Sequence, residues 1–260
     1  ERMKRTKMMI LFVSALSLIL PSIAAAYPNG TPMYVTDAAP FCASCHSAAK
    51  AQYMPELPAE AASKETPEFK HYSLVKMPVM PSPYAELTVE QKERLIKNAQ
   101  QIDSRSSVTV SAPLKAKAGQ TITVTIKAAG GNGPAIGIML VDGALRFQSS
   151  PISASGWTIV GEPEVRGQGG KIQMQWLDRR LKGLSRSINY VNIEGQAFDP
   201  SKEIYPEATV VYTLRAPSQP GVYVIAAAFL YGTENAESAG FFQRPSGRIL
   251  FSEEAGVKVE

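Results

Sequence analysis

The chain has 260 residues, 45% of them hydrophobic and 19% charged, with a formal net charge of +4 and two cysteines. That is enough apolar material for one large or two small cores, and no internal repeat or low-complexity tract interrupts it. Most of the charge sits in the first 26 residues, four basic side chains against one acidic. The other 234 carry 23 basic against 22 acidic, so charge gives no argument for a nucleic acid or an anionic membrane as partner.

Arg2, Lys4, Arg5 and Lys7 form a basic start, followed by an apolar run over residues 8–20, Pro21, and small residues at Ala24 and Ala26 in an A-x-A pattern. These are the three parts of a secretory signal peptide. The apolar run of 13 residues is shorter than the ~20 a spanning helix requires. The pattern predicts a signal peptide over residues 1–26 and a mature chain that begins at Tyr27 in the periplasm or outside the cell. No cysteine follows the cleavage site to carry a lipid, so the mature chain is expected to be peripheral to a membrane at most.

Residues 41–46 read FCASCH and hold both cysteines and one of the two histidines. A redox dithiol normally opens a helix inside a βαβ unit, and no such pattern surrounds Cys42. A structural zinc site needs four ligands, and only His71 remains to add to this cluster. Covalent haem attachment uses all three residues. Cys42 and Cys45 form thioethers to the haem vinyls, and His46 becomes the proximal iron ligand. The motif therefore predicts one haem c.

Residues 27–105 are rich in Ala, Pro, Met, Glu and Lys. Asp37 can cap a short helix that carries the motif to about Tyr53. A loop dotted with Pro55, Pro58, Pro67, Pro78, Pro81 and Pro83 follows, and then a helix over residues 87–102. Thr88 and Gln91 are spaced as a capping box, and Leu95, Ile96, Ala99 and Ile102 fall on one face. Candidates for the sixth iron ligand are His71, Met77 and Met80, all in HYSLVKMPVMPSPYAELT (71–88).

With CASCH and MPVMP in place, residues 36–102 resemble class I c-type cytochromes, in which a Met-Pro turn delivers a thioether ahead of a capped final helix. Met80-Pro81 lies seven residues before Leu87 and matches that turn. The resemblance implies a small helical haem domain with Met80 as distal ligand, Met77 and His71 standing as alternatives. Methionine/histidine ligation raises the potential relative to two histidines and suits electron transfer.

DSRSS (103–107) is the expected join to a second region, residues 106–260, rich in Val, Ile, Thr, Gly and Ser. TITVTI (121–126), KIQMQW (171–176) and ATVVYTL (208–214) alternate with period two, and GVYVIAAAFLYG (221–232) suits a central strand. SVTVSAP, AIGIMLVD, SINYVNI and the terminal GVKVE bring the expected count to about eight strands of an antiparallel sandwich. ATVVYTLRAPSQPGVYVIAAAFLYGTENA (208–236) resembles the immunoglobulin-like sandwiches, Reeler-like domains among them, that accompany haem motifs in bacterial secreted cytochromes. With no cysteine after Cys45 this region has no disulfide. It also has no histidine, and hence no Ser/His/Asp arrangement. Asp142, Asp178, Asp199 and Glu203 read as solvated turn acids, LDRRLKG (177–183) as a basic loop, and Trp157 and Trp176 as core residues.

The combined expectation is an α + β chain in separate domains, a helical cytochrome c domain followed by an immunoglobulin-like sandwich. The expected function is a secreted single-electron carrier between redox protein partners, not an enzyme, with the sandwich for docking or assembly. The alternative is a haem enzyme or subunit with a displaceable sixth ligand that acts on a small sulfur or nitrogen species.

Overall fold

A computed structural model describes residues 48, 54, 57–78, 84–144, 149–173, 188–233 and 247–260. Cys42, Cys45, His46 and Met80 lie outside the described residues, as do the helix expected after Asp37, Asp178, Trp176 and the LDRRLKG loop.

Alternation builds the first sheet. In β3 (Thr121–Ala129), Ile122, Val124, Ile126 and Ala128 are buried, and in β8 (Glu207–Arg215) so are Ala208, Val210, Tyr212 and Leu214. The two strands pair over nine positions, Thr121 opposite Arg215 to Ala129 opposite Glu207. With this period the apolar residues of both face the same side. β1 (Ser107–Ser111) extends the sheet beside β3, and the short β5 (Thr158–Ile159) and β6 (Glu164–Arg166) pair with β8.

The second sheet is built on β9 (Gly221–Gly232), flanked by β4 (Asn132–Val141), with β7 (Tyr190–Ile193) beyond it. Along its other side β9 pairs with β11 (Ala255–Val259) and with β10 (Gly247–Phe251). β2 (Lys115–Ala116) joins β11 in parallel, one departure from the expected antiparallel pattern. From Ile225 to Tyr231 every residue of β9 is buried, because both of its faces are covered. Ile225, Ala227, Phe229 and Tyr231 join the core between the sheets, whereas Ala226, Ala228 and Leu230 pack with Met139, Val141, Tyr190 and Ile249 on the other face. Trp157 is a core residue, its ring edge-on to Tyr223 at 6.2 Å.

The helical segment is short. It comprises α1 (Ala59–Ser63), a π-helical turn (Glu68–Tyr72), α2 (Ser73–Lys76) and α3 (Val89–Arg105). Thr88 caps α3 as expected: its Oγ1 accepts from the Gln91 amide, and its own amide donates to Gln91 Oε1. Leu95, Ala99 and Ile102 are buried.

These helices do not make a separate cytochrome domain, and the expected α + β division is corrected to a mostly β chain whose helices are attached to a sandwich. The reason lies in where the apolar face of α3 is spent. Leu95 packs with Val75, Tyr84 and Leu87, but Ile102 belongs to the core between the sheets. Among the described residues, one long helix and three helical turns offer little apolar surface of their own, and Ile102 joins the sandwich's core.

Candidate functional site

The helical segment meets the sandwich over a buried polar cluster. Arg248 of β10 is 1% exposed and stands opposite Tyr231 of β9 in the strand register. A guanidinium at such a site needs a compensating charge and a full set of acceptors. Asp103, from the last turn of α3, supplies the charge and accepts two of its hydrogen bonds. Its Oδ2 accepts from Arg248 Nη2 at 3.2 Å, from Arg248 Nε at 3.3 Å and from the Tyr72 hydroxyl at 2.6 Å. Its Oδ1 accepts from the Tyr231 hydroxyl at 2.9 Å. One carboxylate thus gathers donors from the π-helical turn, β9 and β10.

The π-helical turn sets His71 and Tyr72, consecutive residues, side by side in the buried layer. Such turns recur where side-chain placement matters more than helix regularity. Arg248 Nη2 lies 2.7 Å from His71 Nδ1, and His71 Nε2 lies 2.8 Å from the Tyr84 hydroxyl. Guanidinium groups only donate, so Nδ1 is an acceptor, and the neutral ring carries its proton on Nε2 and donates it to Tyr84. The guanidinium also sits over the Tyr72 ring, 5.6 Å from its centroid.

Burial and charge act together on the ionisable groups. Burial pushes the Tyr72 and Tyr231 hydroxyls well above the usual phenol range, and the Asp103 carboxylate adds to the rise. For Arg248 burial acts downward, but Asp103 and the two tyrosines outweigh it and hold the guanidinium above its ordinary value. The cluster is therefore a matched ion pair ringed by neutral phenols and a neutral imidazole.

Of the candidate iron ligands, His71 has both ring nitrogens in hydrogen bonds. The Met77 side chain is half exposed, and its carbonyl accepts from Lys92 Nζ at 2.8 Å. Ala48, two residues after His46 in sequence, is buried, and its amide donates to the Ile249 carbonyl of β10 at 2.8 Å. Consecutive β10 residues, Arg248 and Ile249, thus hold the helical segment and the chain just past CASCH. No group of three or more metal-ligating side chains occurs among the described residues. Asp142 Oδ1 accepts from the Ser150 amide, and Asp199 caps the turn Pro200–Lys202. Sequence reading placed Asp103 in the join and Tyr231 in a central strand, and assigned no site role to either or to Arg248.

No protein-family model and no curated protein matches the chain. Among solved structures, the chain is similar to the CARDB domain of a Pyrococcus furiosus protein, solved in complex with di-metal ions. Sequence identity there is 12% and the TM-score 0.25, over 60% of this chain and 90% of that one. It is also similar to the C-terminal domain of the Streptococcus agalactiae antigen I/II polypeptide BspA, at 10% identity and a TM-score of 0.31, over 59% of this chain and 50% of that one. A third is CfaE, the adhesive subunit of an enterotoxigenic Escherichia coli fimbria, at 9% identity and a TM-score of 0.25, over 60% and 48%. The chain spans about half the length of these last two. The described residues form a β-sandwich of two sheets.

Proposed function

We propose that the chain is a secreted c-type haem protein that relays single electrons between protein partners outside the cytoplasm. The observation that carries this reading is CASCH, residues 42–46, which contains every thiol of the chain and the histidine beside them. Two thiols at this spacing suit the two haem vinyls, and an imidazole next to them suits the iron. A bound haem would supply a one-electron iron couple. The chain's own residues would hold it: Cys42 and Cys45 as thioether anchors, His46 and Met80 as ligands to the iron. Since both ring nitrogens of His71 are hydrogen-bonded, the thioethers are favoured on the distal side.

The reading carries over to a short haem-bearing segment docked on a sandwich. Ala48, two residues past the motif in sequence, supports it through the bond from its amide to the Ile249 carbonyl of β10. The sandwich is then the rigid platform through which the haem segment is presented to a donor or an acceptor.

The test is the full chain produced with its leader in a host that attaches haem c. The expected product keeps a c-type spectrum and haem staining after denaturation, and Cys42→Ala with Cys45→Ala abolishes both. Haem that leaves on acid–acetone extraction would sink the proposal. Ready binding of CO by the reduced protein would replace pure relay with chemistry at a displaceable sixth position.

A further inference from the structure

We propose that residues 59–105 form a flap, fastened to the sandwich at both ends, that opens as one unit while the sandwich stays folded. Ahead of it, the Ala48 amide is bonded to the Ile249 carbonyl of β10. Behind it, Ser106 ends α3 with extended backbone, and its Oγ accepts from the Gly131 amide at 2.9 Å. A hinge needs only an element-terminal residue that absorbs a change in backbone angles, and Ser106, between α3 and β1, stands at such a position.

What holds the flap down differs from what holds it together. Val75, Tyr84, Leu87 and Leu95, drawn from α2, α3 and the stretch between them, form an apolar cluster of their own. Among the described residues of the flap, only Ile102 belongs to the core between the sheets. The hydrogen bonds to the sandwich are made by Asp103 and His71 to Arg248, and by Asp103 to Tyr231. At the rim, Arg105 Nη2 donates to Glu203 Oε1 at 2.6 Å and Gln101 Nε2 to the Tyr205 hydroxyl at 3.4 Å. Apolar surfaces that part lose their stabilisation, whereas polar groups that part exchange their partners for water. A buried ion pair follows the same rule. When both partners leave together each regains its hydration, so parting them costs less than deleting one. The flap therefore opens at a smaller free energy than the sandwich, whose sheets are joined by apolar side chains from both. In sequence, Met77 and Met80 fall inside the flap and Cys42, Cys45 and His46 ahead of it. On the haem reading, opening would move one set of ligands relative to the other; the flap itself rests on the described contacts alone.

Hydrogen exchange of the full chain in rising urea measures the opening. Released from its cover, a helix of 17 residues is marginal in water, so the amides of α3 report the release. The amides of residues 92–102 are expected to exchange through one shared opening, faster than those of β3 and β8 and with a smaller urea dependence. Leu214→Ala separates this opening from unfolding of the whole chain. Leu214 is buried opposite Ile122, at the far end of β8 from Glu207, whose neighbours across the sheet are Ala129 and then Ser107 beside the flap. Its truncation should speed exchange in β3 and β8 about thirtyfold or more and leave α3 unchanged. An equal rise in α3, or α3 amides that exchange together with β3 and β8 in the unmodified protein, would overturn the flap. Exchange of α3 residue by residue without urea dependence, the mark of fraying, would overturn it too. If Leu214→Ala does not fold, the urea series on the unmodified protein decides alone.

Discussion

Arg248 and Asp103 stand 145 positions apart and meet as a buried ion pair, with two guanidinium nitrogens within 3.3 Å of one carboxylate oxygen. One residue ends the only long helix among the described residues, and the other lies in a strand near the end of the chain. Their meeting commits the helical segment to one place on the sandwich, because neither charge is tolerated there without the other.

Asp103→Asn therefore leaves a buried guanidinium without its counter-charge and two phenols with a weaker acceptor. Breaking one side of a buried pair costs about 3–5 kcal/mol. Urea unfolding should show that loss as a lower midpoint with an unchanged slope. Adding Arg248→Met should recover part of it, since the second change removes the stranded charge. If the double variant is no better than the single one, the pair is not coupled as its geometry requires.

Tyr72 and Tyr231 hold their protons well above the usual phenol range through burial and the Asp103 carboxylate. The sign of the consequence is fixed by linkage. An unfolded tyrosine ionises near pH ~10 whereas these two stay neutral in the fold, so their contribution to stability is complete below that value and falls as pH rises beyond it. Phenolate absorbance at these two positions is expected to appear only together with loss of the circular dichroism of the fold. Two phenolates that form while the sandwich stays intact would contradict the burial.

Gly131 has a positive φ of 75°, and its amide donates to Ser106 Oγ at 2.9 Å. A Cβ placed there would run into the Tyr231 side chain at its own Cβ, which has no freedom to swing aside. Gly131→Ala therefore adds left-handed backbone strain, ~1–2 kcal/mol, to an overpacking cost of ~1–3 kcal/mol. Because Tyr231 must shift, the variant should also unfold at a lower pH in alkali than the unmodified protein. A loss of stability without that alkaline shift would place the strain in the turn alone.

Elements with a local signal were legible in the sequence. Capping by Thr88 and the spacing of Leu95, Ala99 and Ile102 placed α3, and strict alternation placed β3 and β8, because those causes act within a few residues. β2 and β5 were not legible: two residues carry no period, and they are strands only because β11 and β8 lie beside them. β10 was missed as well. The expected separate helical domain failed for a related reason. Periodicity shows that α3 has an apolar face but not what covers it, and Ile102 is covered by the sandwich. His71 read as a candidate iron ligand, and its contacts with Arg248 and Tyr84 were not legible because neither partner lies within a local pattern. Arg248, a lone cation in GRILF, gave no sign of burial, since Asp103 and His71 are its reasons and both lie far away in sequence.

Met80 carries the sharpest prediction about the proposed haem. A thioether on ferric iron gives a weak near-infrared charge-transfer band, and Met80→Ala is expected to abolish it. The same change should lower the reduction potential, because a thioether favours ferrous iron whereas water or an imidazole favours ferric. Met77→Ala should leave the band in place, since that side chain is half exposed. The reverse pattern would move the ligand to Met77. His71→Ala is expected to weaken the contact with β10 and reduce stability while the band survives, because the imidazole is taken up by Arg248 and Tyr84. A band that is absent from the unmodified protein, or a new low-potential spectrum that depends on His71, would remove Met80 from the iron.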